Sequence, residues 1–565
     1  NPKNKAAIYW GKNNPFYSGM NFFHSRKVKN LDVVIGGNLF NDAGYKGPTP
    51  VNIKDTTFNP YAEQRGEFEH RIRLNFGLRW RNQKIQGLTY GINGNGMLSR
   101  SASALLWMNA DSGMYRAYPG SLSQTLQDVF YLDPFIKYSS KKGWNQVFRN
   151  RIFYLNNNNN NNQSNRSTVF YSEYQLQRNF TEGILKKLVF SGGIVHSYTI
   201  GKSDLYSGNL GDSLTQETKS GNRNIAAYIQ LERQFFERLT LNAGARYEHF
   251  TIQNPSLSSD APGNKTQEGK PVFRAGANLK LAKATFLRAS FGQGYRFPTI
   301  AEKFIRTAVG PIRIYPNESL RSESSWNAEV GFKQGFQIGE FQGYLDAAFF
   351  TQQFKNNIEF NFGQFGTISD PLFGLGFASL NIGKTKVSGF DFSLAGRGKF
   401  GKTGIAFLGG YTYTNPISLE PNTPYPVVDL SNKNVTYARS SSDSTGYLLK
   451  YRFQHLIKAD LEITRGNWMF GASVRYNSFM KNIDKIFEDL DDILGLLGQP
   501  KPGLKAYRQQ NNSGLWLTDA RIAYTLNSTV KMAFMVSNLF NEEYTLRPMV
   551  IEQPRTTAVQ VTIAF

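Results

Sequence analysis

The chain has 565 residues, with 65 Lys and Arg against 42 Asp and Glu, a formal charge of +23, no Cys, and 14% aromatic against 19% charged residues. The lack of cysteine excludes disulfide frameworks and thiolate metal sites, and no run of about 18 apolar residues is present to make a helical membrane span. Mean hydropathy is −0.43, which leaves a membrane β-barrel open, because only alternate residues of a barrel strand face lipid.

The N-terminus, Asn1-Pro2-Lys3-Asn4-Lys5, has neither the apolar core nor the cleavage site of a signal peptide. A first strand is expected over 5–11, broken by Asn13-Asn14-Pro15. A second covers 16–28, and Lys29-Asn30 turns the chain into a third over 31–41. A loop rich in Gly, Pro, Thr and Asn follows to about Arg65. The clearest strand is Glu67 to Arg81: Ile72, Leu74, Phe76, Leu78 and Trp80 alternate with Arg71, Arg73, Asn75, Gly77 and Arg79. A buried sheet cannot hold three arginines on its inner face. Lipid on one side and a polar lumen on the other satisfies both faces.

The same alternation recurs at 239–248, 273–281, 468–477 and 530–537. Short connections are expected at Arg81 to Lys84, Ser140 to Gly143, Phe236-Glu237, Ala282-Lys283, Gly335 to Gly339, Lys399 to Lys402, Arg465 to Asn467 and Asn527-Ser528. Long ones are expected over roughly 101–125, 156–165, 201–220, 253–270, 295–323, 358–385, 416–446, 479–513 and 539–555. Short turns on one rim and long loops on the other are the outer-membrane arrangement. The chain closes on Val559, Val561, Ile563 and Phe565 alternating with Gln560, Thr562 and Ala564, a last strand ending on an aromatic ring. The fold class is therefore all-β: one transmembrane antiparallel β-barrel of about 22 strands over residues 1–565, with long extracellular loops and short periplasmic turns. Plugged transporter barrels have that strand number, against 16–18 in porins.

Within the loops, Asn156 to Asn162 is a run of seven Asn and reads as a flexible polar loop. Ile483, Ile486, Phe487, Leu490, Ile493, Leu494 and Leu497 recur at helical spacing, with Asp484, Glu488, Asp489, Asp491 and Asp492 over much of the other face. This predicts a short amphipathic helix that caps other loops, its acids a solvated face rather than a metal site. The histidines His24, His70, His196, His249 and His455 show no ligand spacing. No nucleophile motif, P-loop or dinucleotide fingerprint lies in a fitting context, so an enzyme is the least expected reading and no cofactor or metal site is expected.

The segment Tyr295 to Arg321 is the richest in candidate contacts: Tyr295, Arg296, Phe297, Lys303, Arg306, Arg313 and Tyr315. Trp107, Tyr115 and Arg116 join them from the 101–125 loop. Cationic and aromatic groups at an extracellular vestibule suit an anionic or aromatic solute. Their alternative employment is to pin loops to one another or to hold lipopolysaccharide phosphates.

At these residues the sequence resembles the TonB-dependent outer-membrane receptors. Gly294-Tyr295-Arg296-Phe297-Pro298-Thr299, followed by Ala301-Glu302-Lys303-Phe304, resembles the family's Arg-aromatic-Pro segment. Asn317 to Lys333, with Leu320, Glu323, Trp326, Glu329 and Gly331, resembles the stretch that begins its next strand, with Ser319 and Ser322 where Asn or Pro is common. Lys386-Val387-Ser388-Gly389-Phe390-Asp391 and Val536-Ser537-Asn538-Leu539-Phe540-Asn541-Glu542-Glu543-Tyr544 resemble two further barrel motifs. The resemblance implies a receptor of the Gram-negative outer membrane. Such a receptor binds a scarce solute at its loops and takes it up when an energy-transducing TonB-type protein moves a plug domain. The solute class stays open among ferric siderophore, cobalamin, sugar and peptide.

The family's plug and TonB box are not found in this sequence, and a plug is expected as a partner from an upstream segment. Arg71, Arg73, Arg79, Arg246, Arg274, Arg288, Arg475 and Arg521 have lumen parity, with Glu248, Asp346 and Asp519 as the few acids beside them. Such a wall is costly unless an anionic partner fills it, so these positions are expected to face an acidic plug. The remaining expected partners are outer-membrane lipid or lipopolysaccharide, and a surface lipoprotein or other outer-membrane subunit; nucleic acid is not expected. The competing readings are a passive pore and a docking subunit of a larger complex.

Overall fold

The computed structural model describes residues 15–49, 66–161, 163–206, 217–256, 263–309, 312–367, 369–428, 433–496 and 498–565. The strand expected over 5–11 lies outside them, as do Asn162 and Leu497.

Twenty-one strands form one antiparallel sheet. They run from Tyr17–Val28 and Leu31–Asp42 to Val530–Ser537 and Thr556–Ile563, and each pairs with the wall strand that follows it in the chain. This sheet is the wall of a β-barrel. Pairing each strand with its neighbours satisfies the backbone amides and carbonyls, which have no water to bond in a bilayer. Two-residue turns join many hairpins. Gly339, Gly401 and Gly466 supply the positive φ that such tight turns require, and at Phe236-Glu237 two ordinary residues adopt it. The short connection expected at Gly335 to Gly339 is narrower than the composition implies: Glu323–Ile338 stays paired to its end, and only Gly339 and Glu340 turn.

Among the described residues the apolar faces have no second layer. Leu74 is 55% exposed, Phe273 52%, Phe534 46% and Val561 53%. Four faces this oily and this open, on strands far apart in the chain, identify the outward side as lipid-facing. Ile72 to Trp80 rises about 27 Å along its strand, or about 20 Å at a tilt near 40°, close to the ~25 Å apolar band of outer-membrane barrels. Aromatic side chains edge this band. Near the short turns Trp80 stacks on Tyr90, Phe341 on Phe336 and Phe400, and Trp468 on Phe470 and against Tyr524. Near the long loops Phe390, Tyr411, Tyr413 and His455 cluster, and Tyr476 meets Trp516. His455 Nδ1 is 2.8 Å from the Tyr411 hydroxyl, so this histidine is an interfacial side chain.

The long connections are structured. They hold four helices, α1 (Ile300–Phe304), α2 (Tyr437–Ser440), α3 (Ile486–Leu496) and α4 (Leu504–Gln510). They also hold a four-stranded sheet of Thr307–Val309, Ile312–Tyr315, Leu375–Asn381 and Ile358–Gln364, in which Ile312–Tyr315 runs parallel to Leu375–Asn381. The first four asparagines of the run, Asn156 to Asn159, are strand where loop was expected. Trp144–Asn159 stays paired through Asn159, with Asn156 opposite both Asp128 and Arg166. Side-chain bonds from Gln127 to Asn157 and from Thr125 to Asn159 hold it there. Amides that bond across strands compensate for the low intrinsic strand preference of Asn.

Candidate functional site: the loop cap and the lumen wall

The loops at the long-connection rim pack on a hydrophobic core of their own. Trp107, Tyr115, Phe377, Met480, Ile483, Leu490, Leu494, Leu504, Met549 and Ile551 are all buried there, drawn from four separate connections. α3 brings Leu490 and Leu494 on one face, as its periodicity predicts. Phe377, from the loop sheet, stacks on Phe360 and on Phe487 of α3. A second cluster joins Leu380, Ile382, Tyr425, Val435, Tyr437 and Leu449.

Under α3 lies a buried polar knot. Lys450 and Asp484 are fully buried and 2.6 Å apart. The Lys450 ammonium also donates to Asn361 Oδ1 at 3.0 Å and Ser440 Oγ at 2.8 Å, and the Tyr451 hydroxyl donates to Asp484 at 2.5 Å. The Lys450 backbone N–H donates to the Tyr437 hydroxyl. Three loops are thus tied through one ion pair. Beside it, Glu359 keeps a buried carboxylate oxygen with no hydrogen-bond partner, and burial pushes its carboxyl up to about 7 against the opposing pull of Lys450 and Arg452.

The acids expected on a solvated face of α3 do other work. Asp484 is the buried partner of Lys450, Glu488 accepts from Arg508 at 2.9 Å, and Asp491 accepts the Gly503 amide at 2.7 Å. The helix begins at Ile486, so Asp484 lies on the segment before it and turns inward. Among the described residues no group of three His, Asp or Glu is placed to hold a metal.

Of the predicted contact residues, Trp107, Tyr115, Lys303, Arg313 and Tyr315 are buried. The Trp107 indole donates to the Pro502 carbonyl at 2.9 Å, and Arg313 lies 3.5 Å from Asp370. Lys303 donates to the Leu320 carbonyl, and burial holds its ammonium below the usual lysine range. Arg296 bonds Glu302 at 2.8 Å and Glu323 at 2.5 Å, Phe297 stacks on Phe250 at 5.0 Å, and Tyr295 is half-buried. Arg116 is half-buried and Arg306 is exposed. The segment therefore splits into a packed part that shapes the cap and a smaller part that meets solvent.

The motif residues have physical tasks. Thr299 caps α1, accepting from the Glu302 amide while Glu302 accepts from the Thr299 amide. Arg296 then clamps that box to Glu323, the first residue of the next wall strand. Gly389 has no room for a side chain: a Cβ there would meet the Tyr413 carbonyl oxygen at 1.9 Å. Asn538 and Asn541 both adopt positive φ, which Asn tolerates better than other side chains. Asn538 Oδ1 accepts from the Glu542 amide, and Asn541 Oδ1 accepts from the Arg555 amide.

The lumen wall departs from expectation. Arg288 bonds Glu329 and Asp346, both at 2.8 Å. Arg521 bonds Asp460 at 2.7 and 2.8 Å and reaches Glu462 at 3.4 Å. Arg79 and Arg81 share Asp32, Arg71 pairs with Glu69, Arg151 with Asp133, Arg246 with Glu248, and Arg475 with Asp519. The acids facing the lumen are thus more numerous than Glu248, Asp346 and Asp519. Alternation along single strands does not bring Asp32 to Arg79 or Asp460 to Arg521; the strand register does. Arg73 meets the Met97 sulfur and Arg274 meets Gln230, without a carboxylate among the described residues. Tyr171 and Tyr228 donate to Glu173, and Glu173 and Tyr228 line a recess of about 470 Å³ with Arg246 and Arg274.

A cleft of about 370 Å³, which sequence reasoning missed, opens at the loop rim among Phe453, Phe479, Tyr507, Arg508, Tyr544 and Arg547. Its signal is dispersed over four segments, each of which reads locally as strand end or loop.

Residues 111–539 match the family model described as TonB dependent receptor-like, beta-barrel. No curated protein matches the sequence. Solved structures resemble the whole chain at low identity. The ferric-catecholate import receptor Fiu from Escherichia coli K12 is 13% identical with a TM-score of 0.65, over 97% of this chain and 80% of its own. The siderophore receptor PirA from Pseudomonas aeruginosa is 12% identical with a TM-score of 0.63, over 100% and 78%. The Serratia marcescens hemophore receptor HasR, solved with its hemophore HasA and heme, is 13% identical with a TM-score of 0.63, over 98% and 80%. A 21-strand wall with an outward oily face, a folded loop cap and a family match across most of its length have one common reading: this chain belongs to the TonB-dependent receptors of the Gram-negative outer membrane.

Proposed function

We propose that this receptor captures a bulky metal chelate of the ferric siderophore class at its loop cap. It releases the chelate into the lumen when a plug domain, moved by a TonB-type protein, opens the way. The observation that carries this reading is the cap's own hydrophobic core, which gives the loops a defined shape and leaves Arg306 and the cleft around Tyr507 and Arg508 open to solvent. Cations beside aromatic rings suit catecholate or carboxylate chelates. Fiu, a ferric-catecholate import receptor, and PirA, a siderophore receptor, support this solute class by analogy.

The test is tryptophan quenching of the purified full-length receptor by ferric catecholates, heme and cobalamin, with uptake of the labelled chelate by cells. Micromolar or tighter binding of a ferric catecholate, weakened at least tenfold by Arg306→Gln with Arg547→Gln, is the expected result. Binding of cobalamin or a glycan alone would overturn the assignment of solute class.

A further inference from the structure

One wall strand turns a polar residue outward in the middle of the lipid-facing band. Trp144–Asn159 rises from the short turn at Ser140 to Gly143. Arg149 and Arg151 point to the lumen, where they meet Glu173 and Asp133. Exposed Phe148 and Ile152 point outward, and Asn150 lies between them on that side. Trp144, with Arg178 over its ring at 4.7 Å, marks the short-turn edge of the band. Asn150 lies about 20 Å further along the strand, or about 15 Å higher at a tilt near 40°, well inside a ~25 Å apolar band.

Asn150 is left short of partners in two ways. The first is a break in the ladder. Leu122–Ser139 pairs with Trp144–Asn159 at Leu132 with Ile152 and again at Phe135 with Arg149, but not at the two positions between. That register sets Pro134 opposite Asn150, and Pro134 has no N–H to give the Asn150 carbonyl. At this depth no water replaces it. The second is the side chain. Asn150 Oδ1 accepts from Ser172 Oγ at 2.8 Å, while its Nδ2 donates to none of the described residues. Lipid chains offer neither donor nor acceptor, so one residue holds both an unmet carbonyl and an unmet amide in hydrocarbon.

We propose that this face, made by Leu122–Ser139, Trp144–Asn159 and Asn165–Asn179, docks against the same face of a second copy of this chain. Two barrels inserted in one orientation are related by a two-fold axis along the membrane normal, which brings a residue against its own equivalent at the same depth. A group that meets itself must donate and accept at once. Asn150 does both: its Nδ2 reaches the unmet carbonyl of the second copy, and the contact is returned. Gln146, about 10 Å nearer the short turns by the same rise, repeats the arrangement. Its Oε1 accepts from the Tyr174 hydroxyl at 3.0 Å, and its Nε2 donates to none of the described residues. Exposed Ile136, Phe148, Ile152 and Phe170 surround these amides and pack in place of lipid. The proposal rests on the outward face meeting lipid and is independent of the solute.

Energy transfer between donor- and acceptor-labelled copies of the full-length receptor in phosphatidylethanolamine and phosphatidylglycerol vesicles tests it. The label is carried at Lys142→Cys, on the short turn below this face. The expected result is association that persists as the protein is diluted in lipid, and that Asn150→Leu weakens at least tenfold. Pro134→Ala gives the Asn150 carbonyl an N–H from the wall itself, so it is expected to weaken association at least threefold while leaving the barrel folded by gel shift. In a separate set, a short bismaleimide is expected to join two copies at Ile152→Cys and not at Phe534→Cys, an exposed outward residue of Val530–Ser537. Transfer no greater than random proximity in the parent would overturn the proposal without reference to any variant. Association unchanged by both Asn150→Leu and Pro134→Ala, or joining at Phe534→Cys alone, would also overturn it. So would joining at Ile152→Cys in cells only to a different polypeptide. Failure of siderophore binding leaves these outcomes unchanged, so the two readings fail separately.

Discussion

Asp484→Asn is the sharpest probe of the loop cap. Lys450 is buried to within 1% of its surface and Asp484 entirely, so solvent screens their interaction little. Neutralising Asp484 leaves an ammonium among Asn361, Ser440 and the Tyr437 ring without its bonded counter-charge. Removing one partner of a buried pair costs about 3–5 kcal/mol. The wall strands make no part of the knot, so the cost falls on closing the cap rather than on the barrel. At about 1.36 kcal/mol per tenfold, that is roughly a hundred- to several-thousand-fold increase in the open population. Hydrogen exchange of the Ser442, Tyr451 and Lys485 amides reports it, because each donates to a carbonyl within or beside the knot. Those amides are expected to exchange faster by that factor, while amides of Glu67 to Arg81 stay unchanged. The double variant Lys450→Met, Asp484→Leu is expected to recover most of the loss, since it leaves no buried charge. Unaltered loop exchange in Asp484→Asn, or a double variant that costs as much as both singles summed, would refute the reasoning.

Glu359 gives the cap a pH dependence. Its carboxyl rises to about 7 by burial and lies near 4.3 in an open loop, so the closed form binds the extra proton. Closure is therefore favoured fully below about pH 4.3, loses on the order of 3 kcal/mol as pH rises to about 7, and is flat above. The ratio of wild-type to Glu359→Gln exchange rates in the loop sheet, which cancels the intrinsic chemistry of exchange, is expected to rise across that window. Gly389→Ala is expected to destabilise the wall by at least the ~1–3 kcal/mol of overpacking, because the added Cβ meets backbone. Gly96→Ala, with nothing within 4 Å, is expected to be silent in the same gel-shift assay of folded barrel. Arg521→Met leaves Asp460 and Glu462 without their cation, yet lumen water screens a side chain one-quarter exposed. A shift of about 1 kcal/mol in denaturant unfolding is the expected size.

The wall was legible because a strand's period of two survives any tertiary context: Ile72 to Trp80 must put its rings on one side wherever the strand lies. The terminal alternation from Val559 to Phe565 was legible for the same reason. The loop sheet was not, since Ile312–Tyr315 pairs with Leu375–Asn381 across some sixty residues and nothing local marks a parallel partner. Helical spacing identifies Leu490 and Leu494 as the buried face of the amphipathic helix, but it places Asp484 in water, because its partner, Lys450, lies on another loop. Trp107 and Tyr115 carried the aromatic signal of a binding loop and serve a core. An aromatic ring in a loop has the same sequence signature whether it meets a solute or another loop.

The charge of +23 invites the inference that the barrel awaits an acidic plug. The pairing of the lumen arginines redirects it. Arg288, Arg521, Arg475, Arg246, Arg79 and Arg71 each have a carboxylate of the wall itself, so the lumen carries much of its own compensation. Arg73 and Arg274, which bond Met97 and Gln230 instead, are the positions where a plug carboxylate would gain most. A plug that met carboxylate-free arginines at those two positions alone would be easier to displace than one that met eight. That suits a gate moved by mechanical force.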